Sequence, residues 1–269
     1  MPVLQLGGAD ALHFEHTPPE REQRLTFVFV NALTGDAASW EASVAAPLRE
    51  HGHGSLLWNF RGQKDSPFSD PAVITAEGIV ADARALLAAE TPVRPVYVGL
   101  SIGGLFALQA HLGGAPAVGL LLINTLRKPR PRLDWINAAV HRAALTGGPR
   151  LIQDLMLPHL MGPVWLAANR SAFLGDAPYE GLAPDSGTAR LLAAGMGASW
   201  DVAYEGVSVP VIVLSGLRDR VFYDAADVAD LAARMPKAER VDLPDLGHLI
   251  PMERPQAVVD ACLALAARA

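Results

Sequence analysis

Ser101 lies in Gly99-Leu100-Ser101-Ile102-Gly103, directly after the apolar run Val96-Tyr97-Val98 and before Gly104-Leu105-Phe106-Ala107-Leu108. A serine between a strand pattern and a helix pattern, with glycines on both sides, reads as a nucleophile elbow: a sharp turn that lifts the hydroxyl into solvent at a helix N-terminus. The hydroxyl is a weak nucleophile at neutral pH, so attack on a carbonyl needs a base beside it. Two further residues supply that chemistry in order along the chain. Asp219 follows the strand pattern Pro210-Val211-Ile212-Val213-Leu214-Ser215-Gly216, and His248 ends the loop Pro244-Asp245-Leu246-Gly247 behind Val241-Asp242-Leu243. A neutral His248 would take the Ser101 proton and return it to the leaving group, while the Asp219 carboxylate fixes the imidazole tautomer and stabilises the imidazolium formed during attack. Asp224 is an alternative acid, read instead as the cap of the following helix. His51, His53 and His111 read as surface-loop histidines.

The elements that must position these residues follow a strand-helix rhythm. Apolar runs occur at Thr26 to Val30, Leu56 to Phe60, Val96 to Leu100, Val118 to Ile123, Val211 to Leu214 and Arg240 to Leu243. Helical segments between them imply a parallel sheet. Behind a cap at Thr75, Ile79, Ala83, Leu86 and Leu87 recur at helical spacing and should lay one stripe on that sheet. After Thr125 the rhythm breaks for about 80 residues, far beyond an ordinary α/β connection. The break opens on Leu126-Arg127-Lys128-Pro129-Arg130-Pro131-Arg132, a basic run read as a solvated hinge with binding of an acidic substrate group as the alternative, and continues as helical patches interrupted by Gly147-Gly148-Pro149, Gly162-Pro163 and Gly181.

Bulk composition narrows the function classes. A hydrophobic content of 51% in 269 residues is ample for a core. The net charge of -6 is spread without a basic stripe, which argues against a nucleic-acid surface. No apolar stretch approaches the roughly 20 residues that span a bilayer, and Met1 to Leu6 lacks the basic and apolar regions of a secretory signal, so a cytoplasmic location is expected. The single cysteine, Cys262, lies in an apolar helical stretch and reads as packing. No metal-ligand spacing is present.

The ordered set Ser101, Asp219 and His248 on alternating elements resembles the α/β-hydrolase superfamily. That resemblance implies an α/β fold with a mostly parallel central sheet flanked by helices and a helical cap inserted after the sixth strand, the core spanning 1–125 and 207–269 and the cap 126–206. Gly216 to Asp219 matches the Gly-x-x-Asp that often carries the family's acid. Some relatives place the acid after the sixth strand, where this chain has Asn124, which favours Asp219. The oxyanion of acyl transfer needs two donors: the elbow supplies Ile102 N–H, and by the resemblance the loop after Val30 supplies Leu33 N–H. Many relatives have His-Gly in that loop; here Asn31-Ala32-Leu33, with Trp40 further on, is similar to 3-oxoadipate enol-lactonases. Arg61, Gly62 and Ser66 match a family segment assigned to structure.

The cap is expected to govern selectivity more than reactivity toward small activated esters. Asn31, Trp135, Trp165 and Met161 are candidates for the substrate pocket, with Met156, Phe173 and Trp200 as further apolar candidates. The implied activity is that of a serine hydrolase acting on a carboxylic ester, lactone or thioester of a small, largely apolar molecule, with no metal or organic cofactor. A serine at the elbow sets aside the dehalogenase and epoxide hydrolase branches, which use aspartate there. An acyltransferase, a cofactor-free perhydrolase or a ligand-binding protein on the same fold is the alternative.

Overall fold

The computed structural model of the chain describes residues 2–126 and 128–269. Eight strands form one sheet: β1 (Val3–Gly7), β2 (Asp10–Thr17), β3 (Thr26–Val30), β4 (Gly54–Trp58), β5 (Pro95–Leu100), β6 (Gly119–Ile123), β7 (Val211–Gly216) and β8 (Ala238–Leu243). Their order is β1-β2-β4-β3-β5-β6-β7-β8. β2 runs antiparallel to both β1 and β4, and every pair from β4 to β8 is parallel. Sequence patterning anticipates β3 to β8; the β1–β2 hairpin is an addition to it.

Alternation along the strands explains the two-sided core. Val28, Val30, Tyr97, Leu120, Leu122, Val211 and Val213 face one way, onto α3 (Ala76–Glu90), α4 (Ile102–Leu112) and α8 (Ala225–Arg234). Phe27, Phe29, Val96, Val98, Leu121, Ile212 and Leu214 face the other way, onto α1 (Ala38–Trp40), α2 (Ala46–Glu50) and α10 (Pro255–Ala266). Thr75 caps α3 as its sequence position predicts, its hydroxyl accepting from Gly78 N–H at 2.9 Å. Cys262 is fully buried in α10, and burial pushes its thiol pKa up.

Between β6 and β7 lie α5 (Pro131–Leu160), α6 (Pro163–Asn169) and α7 (Gly187–Met196). α5 bends at Gly148, where φ is 69° and Pro149 follows; a Cβ at Gly148 would collide with the Glu180 carbonyl. Arg127 falls outside the described residues, but its neighbours anchor the start of the insertion. Arg130 pairs bidentately with Asp227 at 2.7 and 2.8 Å, and Arg132 donates to the Arg220 carbonyl at 2.7 Å. A short α9 (Ile250–Glu253) follows β8.

Candidate active site

Because β3 to β8 are parallel, the loops that leave them open at one edge of the sheet, which is where α/β proteins assemble their sites. Ser101 leaves β5 there. Its φ of 57° and ψ of -125° lie in a region that a residue with a side chain adopts only at a cost. The surrounding backbone holds that conformation. Ser101 N–H donates to the Ile123 carbonyl at 2.8 Å, and the Thr125 hydroxyl donates to the Ser101 carbonyl at 3.0 Å. Gly103 lets α4 press onto the end of β3, since a Cβ there would collide with the carbonyl oxygens of Val30 and Asn31.

Asp219 and His248 are brought together. Asp219 Oδ2 lies 2.6 Å from His248 Nδ1, and the two residues are only 3% and 4% exposed. A carboxylate only accepts, so Nδ1 carries the proton and the neutral ring keeps its lone pair on Nε2. The other carboxylate oxygen, Oδ1, accepts from Val221 and Phe222 N–H, both at 2.9 Å. The Phe222 ring tilts against the imidazole with centroids 4.5 Å apart. Asp224 serves instead as the cap of α8, accepting from Ala226 and Asp227 N–H.

Asn124 joins the acid and histidine ends of this arrangement. It directly follows β6 with φ at 47°, and its Nδ2 donates to the carbonyls of Gly247 (3.0 Å) and His248 (2.7 Å). Its Oδ1 accepts from Gly216 N–H at 2.8 Å. The residue noticed in the sequence only as a missing acid thus ties the acid loop to the histidine loop. Among the described residues, the Ser101 hydroxyl and the His248 ring are not hydrogen-bonded to each other, and catalytic contacts of this kind commonly tighten only when substrate binds.

Leu33 and Ile102 are neighbours. A Cβ at Gly195 of α7 would stand 2.5 Å from Leu33 Cδ1 and 3.5 Å from Ile102 Cδ1, so the inserted helix rests on both. Ile102 opens α4, and its N–H therefore has no acceptor within that helix. Gln63 Nε2 donates to the carbonyls of Ala32 (2.9 Å) and Leu33 (3.3 Å). The Ala32–Leu33 peptide is trans, so with its carbonyl turned to Gln63 its N–H points the opposite way.

Other expected positions differ. Asn31 is 1% exposed and fully engaged: Nδ2 donates to the Trp58 carbonyl and to Gln63 Oε1, and Oδ1 accepts from Trp40 Nε1 at 2.8 Å. It braces the loop and has no free polar group to offer a pocket. Trp135 is 80% exposed on α5, a correction of its pocket assignment. Trp165 is half-buried and packs on Phe173, with centroids 5.8 Å apart, inside the insertion. Met161 is buried, its Cα 2.9 Å from where a Gly247 Cβ would stand. Trp200 packs against the core. His53 is buried, contrary to a surface-loop reading: its Nδ1 accepts from Leu25 N–H, and burial pushes its pKa down.

Residues 27–261 match the Alpha/beta hydrolase family, and the chain belongs to that family. It is a hydrolase by that membership. A curated relative named "Putative carbamate hydrolase RutD", from Variovorax paradoxus, is 28% identical over 214 residues, which are 77% of this chain and 78% of that one. A thermophilic esterase from Thermogutta terrifontis superposes with a TM-score of 0.76 at 25% identity, covering 95% of this chain and 92% of the esterase. An enol-lactonase from Burkholderia xenovorans shares the fold, with a TM-score of 0.77, 22% identity and coverage of 98% and 99%. Among the described residues no helix is long and apolar enough to cross a membrane.

Proposed function

We propose that the chain is a serine hydrolase that cleaves a carboxylic ester or related acyl bond of a small, largely apolar molecule through an acyl-enzyme. The observation that carries this reading is the buried 2.6 Å contact between Asp219 and His248 Nδ1, at the same sheet edge as the strained Ser101 turn. Ser101 attacks the carbonyl as His248 Nε2 takes the hydroxyl proton. The oxyanion is met by the N–H groups of Ile102 and Leu33. His248 then returns the proton to the leaving group, and a water activated by the same nitrogen releases the acid and regenerates Ser101. Phe222 and the side chains of Leu33 and Ile102 give the site an apolar character that suits an uncharged acyl group.

The helices between β6 and β7 act as a cap, a reading supported by Gly195 of α7, which lies close against the Leu33 and Ile102 side chains. The RutD likeness adds carbamates to the acyl bonds worth screening beside esters, lactones and thioesters. Labelling with a fluorophosphonate probe, with the modified residue found by mass spectrometry, tests the proposal. Expected is modification of Ser101 that slows by several orders of magnitude in His248→Ala, as triad losses do. Folded protein that labels elsewhere, or at an unchanged rate without His248, overturns it.

A further inference from the structure

The histidine loop is fastened to the inserted helices as well as to the core. His248 N–H donates to the Leu160 carbonyl at 2.5 Å, and Arg220 N–H, one residue past the acid, donates to the His159 carbonyl at 2.9 Å. Both carbonyls belong to the last turn of α5, where four carbonyls lack a partner within the helix. At this junction the Glu253 carboxylate accepts twice: Oε1 from Gly247 N–H and Oε2 from Gly162 N–H, each at 2.8 Å. Gly247 precedes His248, and Gly162 is the residue on which α6 begins. The fit is close, because a Cβ at Gly162 would stand 2.6 Å from Glu253 Oε2.

Two N–H groups meeting two separate oxygens is an arrangement that only a carboxylate satisfies. A glutamine keeps one acceptor and turns an NH2 donor against the other N–H. Burial pushes the Glu253 pKa up while these two N–H groups pull it down.

We propose that Glu253 is a positioning residue: it clamps the end of α5 and the start of α6 to the histidine loop, so that the aim of His248 depends on how the inserted helices are seated. The proposal rests on the reading of His248 as the base. Glu253 makes no hydrogen bond to the reacting groups: it holds the Gly247 N–H, one residue before His248, and its carboxylate charge is also felt at His248.

The test uses the full chain as wild type, Glu253→Gln, His248→Ala and the double variant, with the shorter Glu253→Asp as a second probe should Glu253→Gln not fold. Folding is checked by thermal melts. Two quantities are read: the rate of fluorophosphonate labelling at Ser101, and kcat and KM for 4-nitrophenyl butyrate. Expected in Glu253→Gln is a loss of kcat and labelling rate on the order of tenfold to hundredfold, the scale of a small misplacement of a catalytic group. KM should stay within about twofold, since aim and not binding is lost. In the His248→Ala background the same change should alter labelling by less than about twofold. An unchanged kcat in the folded variant, or an equal factor in both backgrounds, overturns the clamp while leaving the Ser101–His248 reading intact. Wild-type labelling by His248→Ala is a different failure, which removes that reading and the clamp with it.

Discussion

Gln63 shows how much of this site depends on one side chain in a turn. Its Oε1 accepts from Phe60 N–H and Asn31 Nδ2, while its Nε2 holds the Ala32 and Leu33 carbonyls. Replacing it by leucine frees the peptide whose N–H is proposed to meet the oxyanion. Loss of an oxyanion donor outright costs about 10²–10³ in kcat. A donor left present but loosely aimed should cost roughly tenfold to hundredfold in Gln63→Leu, with KM nearly unchanged because the contact matters in the transition state. Steady-state kinetics on a 4-nitrophenyl ester series checks this, and an unchanged kcat removes Leu33 from the role. Ser101, Asp219 and His248 were legible because each follows an apolar strand pattern and turn chemistry marks its loop. Gln63, Asn124 and Glu253 were not, because their partners are backbone groups brought close only by folding: Asn124 lies 123 residues from the Gly247 carbonyl it binds. Trp135 and Asn31 show the converse. Residue type alone does not tell an exposed tryptophan from a lining one, or a free amide from one whose hydrogen bonds are already filled.

At the scale of elements, the contact between α4 and the end of β3 is the demanding one. Gly103→Ala places a Cβ against the Val30 and Asn31 carbonyls, and backbone cannot step aside as a side-chain tip can. Overpacking of this kind costs about 1–3 kcal/mol, or roughly 2–10 °C in Tm for a chain of this size. A thermal melt reads that cost, and fluorophosphonate labelling should fall in parallel as the Ser101 turn is displaced. An unchanged Tm and labelling rate would mean that α4 does not set the turn. The strands from β3 onward were readable because continuous apolar runs are what a sheet covered on both faces requires. The β1–β2 hairpin escaped because its outer strand alternates between half-buried and exposed positions, a pattern too short to stand out from loop. His53 escaped for a related reason. It lies in a turn-rich stretch of polar residues, yet it packs edge-on to Phe27, with centroids 5.3 Å apart.

For the molecule as a whole, the insertion after β6 is joined to the loops that carry Asp219 and His248 by main-chain bonds, and that alters what its removal should do. Sequence reasoning expects the segment to govern selectivity and to leave small activated esters nearly untouched. Replacing residues 126–206 by a short linker would instead strip His248 N–H and Arg220 N–H of their acceptors. The expected outcome is a loss of at least about a hundredfold in kcat/KM even for 4-nitrophenyl acetate; retention of that activity would show the histidine loop to be self-supporting. The same feature bears on how such a chain can drift over generations. The His159 and Leu160 carbonyls serve whatever side chain those positions carry, so His159, an exposed residue, is free to change its letter, whereas Gly162 must stay glycine because a Cβ there would meet the Asp245 carbonyl and the Glu253 carboxylate. Length is another matter. One residue added to or lost from the second half of α5 would slide its last turn by about 1.5 Å and rotate it by roughly 100°, carrying both acceptors away from the loops they hold. New specificities in this lineage should therefore arise by substitution along the inserted helices, with the length of the second half of α5 held fixed.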